Sequence, residues 1–284
     1  MTVTASPLEG STVSFASAIQ VTPDGPGRFA ADLSPAWASL VGIHGGYCSA
    51  IVARAIAASV TDPARPTRSV STQFVSVPAP GPAEVDVTIE RSGRTATFAR
   101  ARLTQEGRVR LVVSAVLAGG RPGTDYDDRP RPAMVPATPP AGLGRIAPPP
   151  EAMRPDRVSH FDNSELILDP DTVPFGSQDR SRLAGWLRPL DGEAITAEWI
   201  VCAMDFFPPA VFSRLDHPVP AATVDFTVHV LASDLGALAP AGAHVYAEME
   251  ATASADGYTV ESGRMWAPDG TTLATSHQLR LAGG

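Results

Sequence analysis

The sequence lacks lysine and is poor in cysteine. All 22 basic residues are arginine, and together with 30 acidic residues they leave a net charge of -8. Because phosphate binding needs a concentrated basic face, this balance argues against nucleic acid as a main partner. The two cysteines, Cys48 and Cys202, are far apart and lack metal-ligand spacing. They are predicted to be buried thiols, without a disulfide framework or a metal site.

Long hydrophobic runs are also missing. No stretch approaches the roughly 18 uninterrupted apolar residues that a membrane helix needs. The opening segment MTVTASPLEG has neither the basic nor the apolar region of a secretory signal. We therefore expect a soluble protein of the cytoplasm without a membrane span. Nucleotide-binding loops, dinucleotide fingerprints and a Gly-x-Ser-x-Gly elbow are missing as well, so no cofactor is implied.

The first half predicts a helix followed by an antiparallel meander. Residues 27–40 are typical of a strand that runs into a loop, and apolar residues recur at helical spacing over 44–60. Period-two alternation between Pro-Gly, Ser-Gly and Glu-Gly turns then predicts four strands, at 67–77, 83–92, 94–105 and 108–118.

The second half repeats this order. A strand-like segment at 182–190 precedes a predicted helix at 195–207, which contains Asp205. Four predicted strands follow, at 222–232, 243–253, 258–268 and 271–281. This internal repeat predicts two copies of one α+β unit within a single chain.

A proline-rich segment, 119–155, separates the two copies. Repeated prolines forbid a helix interior or a central strand, so the segment is predicted to be a surface linker between domains 1–118 and 156–284. Each meander leaves an edge strand unpaired, so the two copies can join edge to edge into one continuous sheet.

With this plan the chain resembles the type II acyl-CoA thioesterases. Their fold is a tandem, or double, hot-dog, in which two central helices are each wrapped by an antiparallel sheet and the sheets join into one. The resemblance covers nearly the whole chain outside the linker. It rests on these residues: His44-Gly45-Gly46, Arg91-Ser-Gly-Arg94 with Phe98 and Arg100, Asp205, Thr223-Val-Asp225, and Gln278. The chain departs from the family where Phe226 replaces a His and where His44 replaces a Phe.

The resemblance implies a catalytic trio in the second half. In that family an Asp, a Thr or Ser, and a Gln position the hydrolytic water, and the matching residues here are Asp205, Thr223 and Gln278. Asp205 lies in the apolar run IVCAMDFFPP, where a carboxylate requires partners or a shifted pKa. It is a candidate general base, and the structural alternative is a helix-end carboxylate that caps nearby amides.

Two segments are candidates for substrate binding. His44, Gly45 and Gly46 precede a helix, where glycines let a ligand approach the backbone and unpaired amides can polarise a carbonyl oxygen. The alternative is a tight turn with a solvent-facing His44. Arg91 and Arg94 could contact CoA phosphates, although arginines on an exposed strand face are more often simply solvated.

The predicted reaction is hydrolysis of an acyl thioester of CoA or acyl carrier protein to a free acid and a thiol. Without a serine elbow, the nucleophile is expected to be activated water. The resemblance also implies a homodimer or a higher homo-oligomer. Two alternatives stay open: a hot-dog hydratase or dehydratase that pairs His44 with Asp205, and a non-catalytic acyl-binding protein. The chain lacks the hydratase-type Asp-x-Asn-Pro-x-His motif.

Overall fold

The described part of the chain forms one antiparallel sheet of twelve strands. The structure, a computed structural model, describes residues 14–146, 158–190 and 192–283. The strands are β1 Thr22–Pro23, β2 Arg28–Leu33, β3 Thr67–Phe74, β4 Gly81–Ser92, β5 Ala96–Gln105, β6 Arg108–Ala118, β7 Ser164–Leu168, β8 Ser181–Pro189, β9 Ala221–Val230, β10 Val245–Ala255, β11 Tyr258–Trp266 and β12 Thr272–Ala282.

Few helices accompany the sheet in the described part of the chain. They are α1 Phe15–Ala18, α2 Gly45–Ala58, α3 Ala197–Ala203 and α4 Leu235–Leu238, with short 3-10 turns at Pro35–Trp37, His160–Asn163 and Ala210–Ser213. None of these helices is long and apolar enough to cross a membrane.

The strand order confirms the predicted double hot-dog. Along the sheet it runs β1-β2-β4-β5-β6-β3-β9-β12-β11-β10-β8-β7. The first half therefore contributes β2-β4-β5-β6-β3, and the second half contributes the equivalent series β8-β10-β11-β12-β9 in mirror order. The halves join where β3 pairs with β9, from Ser69 opposite His229 to Gln73 opposite Asp225. The two predicted edge strands satisfy each other's backbone hydrogen bonds.

The central helices α2 and α3 pack against each other and against the sheet. Each begins at a polar cap: His44 Nδ1 accepts the Tyr47 amide, and Thr196 Oγ1 accepts the Trp199 amide, both at 3.1 Å. Such caps satisfy amides that have no partner inside the helix. Both cysteines are free and buried on these helices, as predicted.

The prediction that the second helix reaches residue 207 was wrong. Helix α3 ends at Ala203, and the amides of Asp205 and Phe206 close short turns onto the carbonyls of Cys202 and Ala203. Pro208 and Pro209 follow, and proline disfavours helical backbone in the residue before it. Asp205 therefore lies in the turn after the helix, not within it. The short edge strands β1 and β7 were also not predicted.

Part of the described linker, 119–146, packs on the sheet face opposite the helices. Along β8, Leu183 and Leu187 belong to the main core, whereas Ala184 and Trp186 belong to a second, smaller cluster, as alternation along a strand requires. Partly buried Val135 and Leu143 of the linker pack against this second cluster, which contains Ile167, Ala184, Trp186, Tyr246 and Trp266. The predicted boundary at 155 and 156 lies outside the described residues.

Candidate active site

The three residues of the predicted trio come together beside the end of α3. The turn after α3 carries Asp205, β9 carries Thr223 and β12 carries Gln278. The side chain of Asp205 is 7% exposed, and Gln278 is 3% exposed as a residue. The site is therefore a buried polar cluster at the junction of the two halves.

Asp205 links the two central helices through its side chain. Its Oδ2 atom accepts the amide of Gly46, in the first turn of α2, at 2.8 Å. Its Oδ1 atom lies 3.5 Å from Nη2 of Arg280. The carboxylate thus accepts a helix amide, but this amide lies on the other central helix, whereas the structural alternative required one near Asp205 in the sequence. Among the described residues its second oxygen accepts no amide, and it can take part in chemistry.

Thr223 and Gln278 form one hydrogen-bonded chain. The Thr223 hydroxyl donates to Oε1 of Gln278 at 3.1 Å, and Nε2 of Gln278 donates to the Met204 carbonyl at 3.2 Å. This second bond orients the amide against the turn that carries Asp205. Gln278 Nε2 has a second hydrogen, which can be donated to a bound water.

Two charged residues that the sequence reasoning missed complete the cluster. Arg280 donates through Nη1 to Thr223 Oγ1 at 2.8 Å and through Nη2 to Glu261 Oε1 at 3.2 Å. Arg280 and Glu261 are only 5% and 1% exposed. The sequence did contain a signal for Arg280. Because side chains alternate along a strand, Ser276, Gln278 and Arg280 of β12 share one face, and all three are buried.

His44 is buried, not solvent-facing. Its Nδ1 atom accepts the Tyr47 amide, so the ring proton belongs on Nε2, which donates to the Asp205 carbonyl oxygen at 3.0 Å. The ring also stacks on His160, with centroids 4.8 Å apart. Both ring nitrogens are engaged by backbone groups, so His44 is a poor candidate for the acid or base of a dehydratase.

Glycine at positions 45 and 46 allows α2 to approach the turn after α3. A Cβ atom on Gly46 would lie 2.7 Å from the Cys202 carbonyl oxygen and 2.8 Å from Cβ of Asp205. A Cβ atom on Gly45 would lie 2.9 Å from the Phe74 ring. Within the described part of the chain the Gly45 amide has no hydrogen-bond partner, which makes it the amide at this helix end that can polarise a carbonyl oxygen.

Burial is the largest cause of the shifted pKa values in and around the cluster. It raises the pKa of Asp205 above 3.8, while the nearby Arg280 charge and the Gly46 amide act in the opposite direction. Burial lowers the pKa of His44 to about 4 and that of His160 to about 3. It also raises the pKa of both buried cysteine thiols. The histidines are therefore neutral at neutral pH, and Asp205 is more basic than an ordinary aspartate.

Arg91 and Arg94 lie away from this cluster in the β4–β5 hairpin, where both are exposed. Among the described residues, neither makes a hydrogen bond or ion pair with the trio. The described residues also contain no group of His, Cys, Asp or Glu that could hold a metal ion.

Comparison with family models assigns both halves of the chain. Residues 33–118 match the acyl-CoA thioesterase N-terminal domain, and residues 129–282 match the acyl-CoA thioesterase C-terminal domain. The chain belongs to the acyl-CoA thioesterase family. It is accordingly a thioester hydrolase. Among curated protein sequences, none matches the chain significantly.

Solved structures show the same fold. The thioesterase is similar to a hot-dog-fold protein of unknown function from Alicyclobacillus acidocaldarius, with a TM-score of 0.84 and 22% identity over 95% of this chain and 98% of the other. An acyl-CoA thioesterase II from Mycobacterium marinum gives a TM-score of 0.71 and 16% identity over 95% and 96%. A TesB protein from Mycobacterium avium subsp. paratuberculosis gives 0.68 and 20% over 95% and 98%.

Proposed function

We propose that this thioesterase hydrolyses acyl-CoA with a water that Asp205 activates and that Thr223 and Gln278 help to hold. The observation that carries the proposal is the state of the Asp205 carboxylate. One oxygen is held by the Gly46 amide at 2.8 Å, and the other lies in a buried polar cluster beside the Thr223–Gln278 chain. A carboxylate made more basic by burial suits a general base.

The proposed reaction begins when the water oxygen attacks the thioester carbonyl carbon. The water proton passes to Oδ1 of Asp205, and negative charge develops on the carbonyl oxygen. The Gly45 amide at the start of α2, which has no partner among the described residues, is proposed to stabilise that charge. When the carbon–sulfur bond breaks, the thiolate takes the proton from Asp205, so the products are a free acid and a thiol.

Coenzyme A is preferred here over acyl carrier protein as the thiol carrier. The family models that match both halves are those of acyl-CoA thioesterases. Contact of Arg91 and Arg94 with CoA phosphates stays a prediction, supported only by their exposure. Residence in the cytoplasm, a homodimer or larger homo-oligomer, and the domain limits given above also stay predictions.

Thiol release measured with a thiol-reactive dye, over acyl-CoAs of increasing chain length, tests the proposal. Asp205→Asn is expected to fold and to lose about two to four powers of ten in kcat/KM, the usual contribution of general-base catalysis. The matched control is Asp86→Asn, an exposed strand carboxylate that lies 3.5 Å from Arg28. Its rate should equal that of wild type.

Two outcomes would contradict these roles. If no acyl-CoA releases thiol while acyl carrier protein thioesters do, the choice of carrier is wrong. If Asp205→Asn keeps near-normal turnover while His44→Ala abolishes it, the assignment of Asp205 as the base is wrong.

A further inference from the structure

Arg280 is the most deeply buried cation of the site. It lies on β12, two residues after Gln278 and opposite Thr223 of β9. Its guanidinium contacts three side chains: Thr223 at 2.8 Å, Glu261 at 3.2 Å and Asp205 at 3.5 Å. A buried guanidinium is costly unless it is paired, so a position this close to the reacting carboxylate calls for a reason.

We propose that Arg280 is a positioning residue for hydrolysis, which fixes the hydrogen-bond direction of Thr223 and Gln278 and supplies the positive charge that keeps Asp205 ionised. This inference rests on the function proposed above. Arg280 acts through Thr223, Gln278 and Asp205, and it is not proposed to contact the substrate or the attacking water. Glu261, its second partner, is proposed to limit how much of that charge Asp205 receives.

The direction of the hydrogen bonds follows from the chemistry of arginine. A guanidinium only donates, so Thr223 Oγ1 must accept from Arg280. The single Thr223 proton is then left for an acceptor on the site side, either Gln278 Oε1 at 3.1 Å or the Asp205 carboxylate, and the Gln278 amide nitrogen is turned toward the Met204 carbonyl. Without Arg280, the hydroxyl and the amide could each adopt other orientations.

The titratable groups that face Asp205 come from several elements. Those from α2 and the adjoining loop are His44 and Cys48, that from α3 is Cys202, and that from the turn at His160–Asn163 is His160. Burial keeps the histidines and thiols neutral. Arg280 is therefore the permanent positive charge near Asp205 within the described cluster, and its proximity opposes the rise in the Asp205 pKa that burial causes.

Glu261 anchors the guanidinium from the neighbouring strand. It lies on β11 opposite Gln278, and its Oε2 atom accepts the Ala210 amide at 2.6 Å. That bond ties β11 to the chain that follows Pro209. Arg280 is thus one cation shared by two buried carboxylates, those of Asp205 and Glu261. Removing the Arg280 charge must raise the pKa of Asp205, and removing the Glu261 charge must lower it.

The test is the pH profile of kcat/KM, which reports the ionisation of the free enzyme's base. In Arg280→Met the acid limb, where activity falls as Asp205 becomes protonated, should move to higher pH by at least about one unit, because a nearby positive charge is lost. We also expect kcat to fall about 10- to 100-fold. Glu261→Gln should move the limb to lower pH, because Asp205 then keeps the whole charge. Arg280→Lys should restore the position of the limb but not kcat, since an ammonium lacks the forked geometry.

The matched control is Arg182→Met. Arg182 is another strand arginine, paired with Glu248 at 2.6 Å in the second half. It should leave the acid limb and kcat unchanged. If Arg280→Met does not fold because Glu261 is left buried and unpaired, the variant Arg280→Met/Glu261→Gln removes both charges. Its limb should still lie above that of wild type, since the arginine is the group in contact with Asp205.

A folded Arg280→Met variant with a wild-type acid limb would overturn the inference, as would limbs that move the same way in Arg280→Met and Glu261→Gln. Asp205→Asn run in parallel separates the two proposals. If Asp205→Asn is inactive while Arg280→Met has a wild-type pH profile and kcat, only the role of Arg280 fails. If Asp205→Asn is active, the proposed function itself fails.

Discussion

The Asp205 carboxylate accepts the amide of Gly46 at 2.8 Å across 159 residues of sequence. This single bond ties the turn after α3 in the second half to the first turn of α2 in the first half. The candidate base and the helix end that can polarise a substrate carbonyl are therefore held at a fixed separation. Neither half contains both parts, so the site requires the two halves in one sheet.

Substitution of the two glycines should separate packing from chemistry. In Gly46→Ala the new Cβ would press on the Cys202 carbonyl oxygen and on Cβ of Asp205, and neither atom can move without the backbone that carries it. Despite the helix propensity of alanine, which favours it by about 1 kcal/mol, we expect lower stability and at least about 100-fold lower activity. Gly45→Ala contacts the movable Phe74 ring and should lose less stability. Thermal unfolding and thiol release measure both, and a Gly46→Ala enzyme with normal activity would contradict this account.

Asp205→Asn should not destabilise the protein at neutral pH. Because the pKa of Asp205 is raised in the folded state, the folded protein binds more protons than the unfolded chain, and stability falls as pH rises above 3.8 through the raised value. The neutral asparagine avoids this loss. We expect a melting temperature equal to or above that of wild type, with a difference that shrinks as pH is lowered. A large drop in melting temperature at every pH would show that the carboxylate is mainly structural.

The buried histidines should make the protein sensitive to acid. The pKa of His44 falls from 6.5 to about 4 in the folded state, so the unfolded chain binds more protons and stability declines as pH falls from 6.5 toward 4. His44→Asn keeps a side chain that can cap α2 and removes the titrating ring. Between pH 6.5 and 4 its free energy of unfolding should fall less steeply than that of wild type, and the two slopes should differ by up to about 1.4 kcal/mol per pH unit. Urea unfolding at several pH values measures both slopes. Activity should fall less than about tenfold, whereas a dehydratase-type role would abolish it.

The linker should loosen when its contact with the sheet is removed. Trp186 is 2% exposed and donates from its indole nitrogen to the Pro136 carbonyl at 2.9 Å. Trp186→Phe removes that bond and part of the packing, which should lower stability by about 1–3 kcal/mol and speed proteolytic cleavage within 119–146. Trp199→Phe, in the core on α3, is the control. It should lose stability without faster linker cleavage, and equal cleavage rates would contradict the role of Trp186.

Local patterns predicted most of the fold. Period-two alternation placed β3 to β6 and β9 to β12 within a few residues of their observed bounds, because each side of a strand meets one environment. The end of α3 was predicted too late. An apolar run continues through Phe206 and Phe207, so periodicity alone could not show where two prolines and tertiary packing stop the helix.

The sequence by itself determined the repeat, the positions of the strands and the family, and through the family the residue types of the trio. Only the tertiary structure decided that Asp205 meets Gly46, that His44 is a buried cap, and that Arg280 and Glu261 belong to the site. The physical reason is that alternation reports which face of a strand a residue occupies, whereas hydrogen bonds and charge pairs depend on which distant element covers that face.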